Sequence, residues 1–400
     1  MVLSRRSSAG RRSLFNLPRP VWLLGWVSLA TDAASEAIYP VLPFFLTQVL
    51  GAGAVSLGVV EGAAEAANSL LKIASGRAAD RSRSKRPLVF AGYAISSFVR
   101  PLIALAQTWS HVFAIRLLDR VGKGIRGAPR DAMLAGWTTG STRGKVYGFH
   151  RAMDHTGAVV GPLLATVFLY YYPGEYRTLF ALTIIPGAIA VLLILLVRED
   201  RTAPLPAPDA SHGHLAPGPA GEPLPRNLKR FFGVLTIFTL GNSTDAFLLL
   251  KLTEVAGSAR FIPLMWAGLH VVKAALSVVG GAWSDRIGRR AVIVIGWLVY
   301  AAVYAGFAIA DALVPLLVCF FAYGIYFGFA EGTEKALVAD LAPPSRRGFA
   351  FGVHNAVLGL GSLAASVMFG VLWTAFGPEI AFGAGAALAL IASALLFVVV

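Results

Sequence analysis

The sequence predicts an all-α polytopic membrane protein, with twelve transmembrane helices arranged as two pseudo-symmetric six-helix bundles. Three observations predict it. Apolar runs of roughly twenty residues, enough to cross a hydrocarbon core as a helix, recur along almost the whole chain. Basic residues gather in alternate connections between those runs, and three short segments of the first half return in the same order in the second. The composition agrees: of 400 residues 56% are hydrophobic and 14% charged, against about a quarter charged in a soluble domain. Backbone groups in lipid must be satisfied internally, and the runs lack the period-two alternation of barrel strands, so helices are the expected spanning elements.

The first six helices are expected at 20–46, 54–75, 87–107, 110–136, 144–172 and 177–197, and the second six at 229–256, 260–283, 290–309, 312–340, 348–375 and 378–400. This divides the chain into a basic leader (1–18), an N-terminal bundle (19–197), a linker rich in Pro, Ala and His (198–228) and a C-terminal bundle (229–400). Arg5, Arg6, Arg11, Arg12, Arg81, Arg83, Lys85, Arg86, Arg143, Lys145, Arg286, Arg289, Arg290, Arg346 and Arg347 then fall on one side. The opposite connections offer Arg177 and Arg260. The positive-inside rule makes the first side cytoplasmic, which places both termini and the linker there and predicts a multi-pass protein of the inner (plasma) membrane. The formal charge of +14 therefore follows topology and does not point to nucleic acid. The first apolar stretch is too long for a cleavable leader. The single cysteine, Cys319, permits no disulfide within the chain and no cysteine-based metal site.

Internal repetition is the next signal. Gly76-Arg-Ala-Ala-Asp80-Arg81 returns as Gly281-Ala-Trp-Ser-Asp285-Arg286, Arg143-Gly144 through His150 as Arg347-Gly348 through His354, and Thr31-Asp32-Ala33 as Thr244-Asp245-Ala246. Three collinear matches at corresponding positions indicate duplication.

These residues resemble the major facilitator superfamily across essentially the whole chain. Gly281-x-x-x-Asp285-Arg286-x-Gly288-Arg289-Arg290 closely matches that family's signature loop; in the first copy Arg83 replaces the second glycine. Arg116-Leu-Leu-Asp119-Arg120-Val-Gly122 is similar to its fourth-helix motif, with Asp and Arg in place of Gln and Gly. Gly157-x-x-x-Gly161-Pro162 opens the motif associated with antiporters, where Ala165 and Thr166 replace two glycines. Close helix packing is an equal reading of that glycine spacing. The resemblance implies a secondary transporter whose halves rock about a substrate site at their interface near the midplane. It also implies a charged latch made by Asp80, Arg81, Asp285 and Arg286, with Asp131 or Glu334 as partners.

Charged residues within the spans supply the candidate site. Asp32 and Glu36 share one face of the first helix, Asp245 holds the matching place in the seventh, and Asp154 lies in the fifth. An ionised carboxylate is costly there, which suits groups protonated in one access state and deprotonated in the other. These four are the proton-coupling candidates; a buried ion pair between helices is the rival reading. Tyr39, Glu65, Arg126, Arg151, Asn242, His270, Lys273 and Glu331 are the candidate substrate contacts, and their cations favour an anionic or zwitterionic solute. Arg100, before Pro101, is either a cavity group or the partner of an acid at a kinked helix. About half of the charges, notably in helices four and ten, are expected to form structural pairs.

No phosphate loop, nucleophile elbow or paired-histidine zinc motif is present, so no enzymatic activity, cofactor or resident metal is expected. The expected partners are a small-molecule or ion substrate, protons and the bilayer, with the protein a monomer. Proton-coupled export of a small organic compound is the leading expectation. Proton-coupled uptake of an anionic solute, metal-ion export and a non-transporting membrane sensor are its alternatives.

Overall fold

In the computed structural model the described residues are 17–82, 84–137, 143–197, 224–343 and 347–399. The leader through residue 16 and the linker over 198–223 lie outside them. Among the described residues there is no strand, and twelve helical spans follow one another. α1 runs Arg19–Ile38 and continues through short turns to Val49; α2 is Ala54–Arg81; α3 is Arg86–Val99 with a 3-10 extension, Arg100–Leu105. α4 is Trp109–Gly136, α5 is Arg143–Tyr171, and α6 joins Tyr176–Leu182 to Ile184–Leu196. In the second half α7 joins Arg226–Gly241 to Ala246–Ala256, and α8 to α12 are Ile262–Ile287, Arg289–Ile309, Leu313–Leu341, Arg347–Phe376 and Pro378–Val399.

Local chemistry explains the interruptions. Pro40 and Pro43 carry no amide hydrogen, so α1 tightens into a 3-10 turn at Tyr39–Val41 and loosens into a π turn at Phe45–Val49. Pro101 does the same to α3. The break in α7 falls on Asn242, Ser243, Thr244 and Asp245, residues whose short polar side chains compete with helical hydrogen bonds. The expected uninterrupted seventh helix is thus two segments. The repeated Gly-x-x-x-Asp-Arg segments are not loops either: α2 and α8 run through them to Arg81 and Ile287. α8 stops only at Gly288, whose φ of +94° a side chain would oppose.

Eight of the twelve spans are long and apolar enough to cross a membrane. Of the other four, α1, α2 and α4 are diluted by acids and bases, and α8 is apolar over 262–277, where its described side chains are continuous. Glycines bring the helices close. A Cβ on Gly157 or Gly161 of α5 would lie 2.5 Å from Leu29 O and 2.3 Å from Ala33 O of α1, so this glycine pair is a packing groove. Across the halves, α2 and α11 touch along much of their length: a Cβ on Gly58 would meet Ser366 O at 2.1 Å, one on Gly370 Ala54 O at 2.7 Å, and one on Gly359 Ser69 Cβ at 2.6 Å. α5 and α8 form the other crossing contact.

Gly161→Ala is expected to lower apparent thermal stability in detergent, because one methyl group must push α5 off α1 at a cost of about 1–3 kcal/mol. Gly233→Ala, with nothing within 4 Å of the new carbon, is the control. Equal melting of both variants would contradict the packing groove.

Candidate functional site

The interior of the first half is ionic. Arg116 of α4 grips Glu61 of α2 with two hydrogen bonds, Nη2 to Oε2 at 2.7 Å and Nε to Oε1 at 3.0 Å. Its Nη1 lies 3.8 Å from Asp119 Oδ2, and Asp119 Oδ1 accepts from Arg100 Nη2 of α3 at 2.9 Å. Arg100 also donates to Thr31 O of α1 at 3.3 Å. All four charged residues are at most 5% exposed. Signs alternate along this chain, so it is neutral overall and ties α1, α2, α3 and α4 together. Of the two readings of Arg100, the structure gives the partner of an acid. Arg126 belongs to the same scaffold: it donates to Ser96 Oγ at 2.7 Å and stacks 4.4 Å over the Tyr93 ring. Because Gly92 and Ser96 leave a groove for it on α3, it is turned into the α3–α4 contact.

One helical turn on, Asp154 of α5 accepts a hydrogen bond from Ser28 of α1, and its other oxygen lies 3.5 Å from His150 Nδ1. Asp32, beside Gly157, is half-buried, and among the described residues no hydrogen bond or ion pair holds its carboxylate. It is the central acid left free to exchange partners.

The second half is organised by aromatic rings. Trp297, Tyr300, Tyr304, Tyr323 and Phe307 are fully buried, and their polar edges secure the break in α7. Tyr300 Oη donates to Gly241 O at 2.8 Å, Asn242 Nδ2 donates to Tyr326 Oη at 3.0 Å, and the Ser243 and Tyr304 hydroxyls are 3.1 Å apart. The break presents Asp245 to the interior. Tyr323 Oη donates to its Oδ1 at 2.7 Å, and Lys273 Nζ of α8 approaches its Oδ2 at 3.4 Å. That ammonium sits 3.5 Å from the centre of the Phe327 ring and 5.1 Å from that of Trp266, a cation-π setting.

The two halves meet at the end away from the termini. Trp266 Nε1 donates to Glu36 Oε2 at 2.8 Å, with His270 Nε2 3.9 Å from the same oxygen. The Tyr39 and Thr244 hydroxyls are 3.4 Å apart. Outside them Arg260 donates to Tyr170 O at 2.9 Å and Leu169 O at 3.3 Å. Toward the termini the same interface is open: Arg151 of α5 and Glu331 of α10, from opposite halves, have side chains 67% and 59% exposed, although Glu331 also accepts from Lys335 at 3.0 Å. The cleft therefore narrows from the end carrying the termini to a floor at Glu36, Tyr39, Trp266 and Thr244.

The structure thus gathers Asp32, Glu36, Tyr39, Asn242, Asp245, His270 and Lys273 about one interface, with Asp154, Arg151 and Glu331 above them. Glu65, one turn after Glu61 on α2, accepts from Asn68 Nδ2 at 3.2 Å. Of the latch residues, Glu334, Asp131 and Arg286 have described side chains. Glu334 lies two turns inside α10, where it accepts from Trp297 Nε1 at 2.9 Å and faces His354. Asp131 accepts from its neighbour Arg130 at 2.9 Å, and Arg286 is exposed in the last turn of α8. The side chains of Asp80, Arg81 and Asp285 lie outside the described residues. A contact that sequence reasoning missed joins the same region: Arg289 Nε pairs with Asp340 Oδ2 at 3.3 Å, and its Nη1 donates to Ser284 Oγ at 2.6 Å.

Comparison with known proteins places this architecture. The family model described as Major Facilitator Superfamily matches residues 23–269 and 230–400. An uncharacterized MFS-type transporter of Methanocaldococcus jannaschii is 34% identical over 95% of this chain and 94% of its own length. The multidrug resistance protein MdtH of Aeromonas hydrophila is 25% identical over 88% and 87%. Among solved structures, a bacterial homolog of the human lysosomal transporter Spinster, in an inward-facing and occupied conformation, superposes with a TM-score of 0.75 at 15% identity, covering 94% of this chain and 95% of its own.

Arg116→Gln leaves Glu61 without its bidentate partner in the interior, a loss of about 3–5 kcal/mol for a broken buried pair. The variant is expected to give little monodisperse protein on size exclusion, whereas Arg151→Gln, at an exposed site, is expected to elute as wild type. A normal profile for Arg116→Gln would contradict a structural role for the chain.

Proposed function

The chain belongs to the Major Facilitator Superfamily and is a multi-pass membrane transporter of that family, and we propose that it exports a small organic compound in exchange for protons. The observation that carries the proton coupling is the contrast among the central acids: Glu36, Asp245 and Asp154 each have hydrogen-bonding partners, while Asp32, at the same depth, has none among the described residues. A carboxylate in that position can take up a proton from one side and give it to substrate or to the other side without dismantling the scaffold. The likeness to MdtH supports export over uptake.

The contacts at the floor give the cycle its mechanical sense. Glu36 and Tyr39 belong to the first half, and Trp266, His270 and Thr244 to the second, so their bonds must break when the halves rock. Protonation of Glu36 would weaken its acceptance from Trp266 and favour opening away from the termini. Basic residues on the terminal side support a cytoplasmic location for both termini and the inner membrane as the site. In that orientation the open cleft faces the cytoplasm, where an exported compound is loaded. The protein works as a monomer in this reading, with one cleft formed by its own two halves.

In proteoliposomes containing a pH-sensitive dye, a transported compound is expected to move protons in the opposite direction through wild type and to move none through Asp32→Asn. Flux of the compound with no proton movement, or equal proton movement in both proteins, would overturn proton coupling; movement in the same direction would replace export by symport.

A further inference from the structure

Most interior charges in the first half are matched, but two half-buried cations are not, and an exposed third stands beside them. Arg120 and Lys123 stand one turn apart on α4, and Lys72 lies on α2. Among the described residues none of the three makes a hydrogen bond or ion pair, and Arg120 Nε is buried without an acceptor. They face one another because α2 and α4 run side by side in the same direction. Glu61 and Arg116 pair one turn earlier, and a Cβ on Gly124 would lie 2.6 Å from Leu71 Cβ and 3.3 Å from Asn68 O. Ser75 Oγ fixes the register by donating to Gly124 O at 2.7 Å. Lys72 and Lys123 each feel Arg120 and Glu65 electrostatically, and Lys123 also feels Asp32. Glu65, engaged by Asn68, is one of the acids that act on the group; Asp119 and Glu36 act on Arg120, and Glu36 and Asp32 on Lys123. Asn68, 2% exposed, keeps a buried polar terminus without a partner.

Unpaired charge is expensive at this depth, and protein interiors normally neutralise it. Here the surplus is positive and lies within electrostatic reach of Asp32. Of the cations expected from sequence to meet substrate, Arg126 and Lys273 are already held by Ser96 and Tyr93 and by Asp245 and aromatic rings, and Arg151 lies 3.9 Å from Asp154.

We propose that Arg120, Lys123 and Lys72 form the docking site for an oxyanion, a carboxylate or phosphate, carried by the transported compound. The proposal rests on the reading of the chain as a transporter and names the chemistry of its substrate. The guanidinium offers a planar fork of donors and the two ammonium groups supply point charge around it.

The test is equilibrium binding to the full chain in phosphatidylcholine nanodiscs, using 2-naphthoate, the matched cation 2-naphthylmethylammonium, and inorganic phosphate. Naphthoate or phosphate is expected to bind wild type, and Arg120→Gln/Lys123→Gln is expected to lose more than about tenfold in affinity. Arg120→Lys/Lys123→Arg is expected to recover most of it, and neither change is expected to weaken the ammonium probe. Adding phosphatidylglycerol identifies the source: competition by the lipid with no binding of either soluble anion would assign the site to a headgroup and overturn a substrate role. The proposal also falls if neither anion binds wild type below about 10 mM, or if the double Gln variant binds both naphthyl probes equally weakly. The readout is binding, so a protein that binds naphthoate through these residues yet moves no protons keeps this site and loses the proton-coupled reading.

Discussion

The cost of charge in a low-dielectric interior governs this structure more than any other constraint. A lone ion in the bilayer core is held at a penalty of several kcal/mol unless it is paired, hydrated or discharged. The first half answers with the neutral sequence Glu61, Arg116, Asp119 and Arg100, whose alternation lets four ions be buried together. Because each member comes from a different helix or turn, the ionic chain also fixes how α2, α3 and α4 rotate against one another and against Thr31 of α1. The glycine contacts of α5 on α1 complete a rigid body around it.

The second half solves the same problem with aromatic rings. Its core is a stack running from Phe238 and Trp297 through Tyr300 and Tyr304 to Phe382. Irregular backbone at membrane depth is tolerated where protein supplies the missing hydrogen bonds: Tyr300 donates to the carbonyl of Gly241 and Ser366 accepts from the amide of Thr244, while Tyr304, Tyr323 and Tyr326 hold the side chains of Ser243, Asp245 and Asn242. The break then turns Asp245 toward Lys273 and Tyr323. Sequence duplication placed an Asp at corresponding points of α1 and α7, but the two have diverged: Asp245 is bound on both oxygens, and Asp32 is open. An asymmetric pair of acids suits a cycle in which one group holds the architecture and the other exchanges.

Much of this was legible in the sequence. Acids and bases inside apolar runs announce themselves, so Asp32, Glu36, Asp245, His270 and Lys273 were found without structure and do converge at one interface. Helix number followed from run length, and an irregular third helix from Pro101. Pairings were harder, because they depend on how each helix is rotated and which neighbour it meets. Glu61 and Arg116 are 55 positions apart, and nothing local says that Arg126 turns toward α3 while Lys123, three residues earlier, does not. The α7 break did have a signal, the helix-poor run Gly241-Asn-Ser-Thr-Asp245, which its apolar flanks concealed. Glu334 is likewise placed by its neighbours in space: two turns inside the helix end, it accepts from Trp297.

The central claim is that two rigid halves, one ionic and one aromatic, move against each other about the floor formed by Glu36, Tyr39, Trp266 and Thr244. Distances between spin labels at exposed positions test it most directly: 48 with 254 across the closed end, 131 with 340 across the open end, and 118 with 163 within the first half. Between high and low pH, or on adding a transported compound, the account predicts that the first distance lengthens as the second shortens while the third stays fixed. A change in the third distance, or movement at one end without the opposite movement at the other, would contradict it.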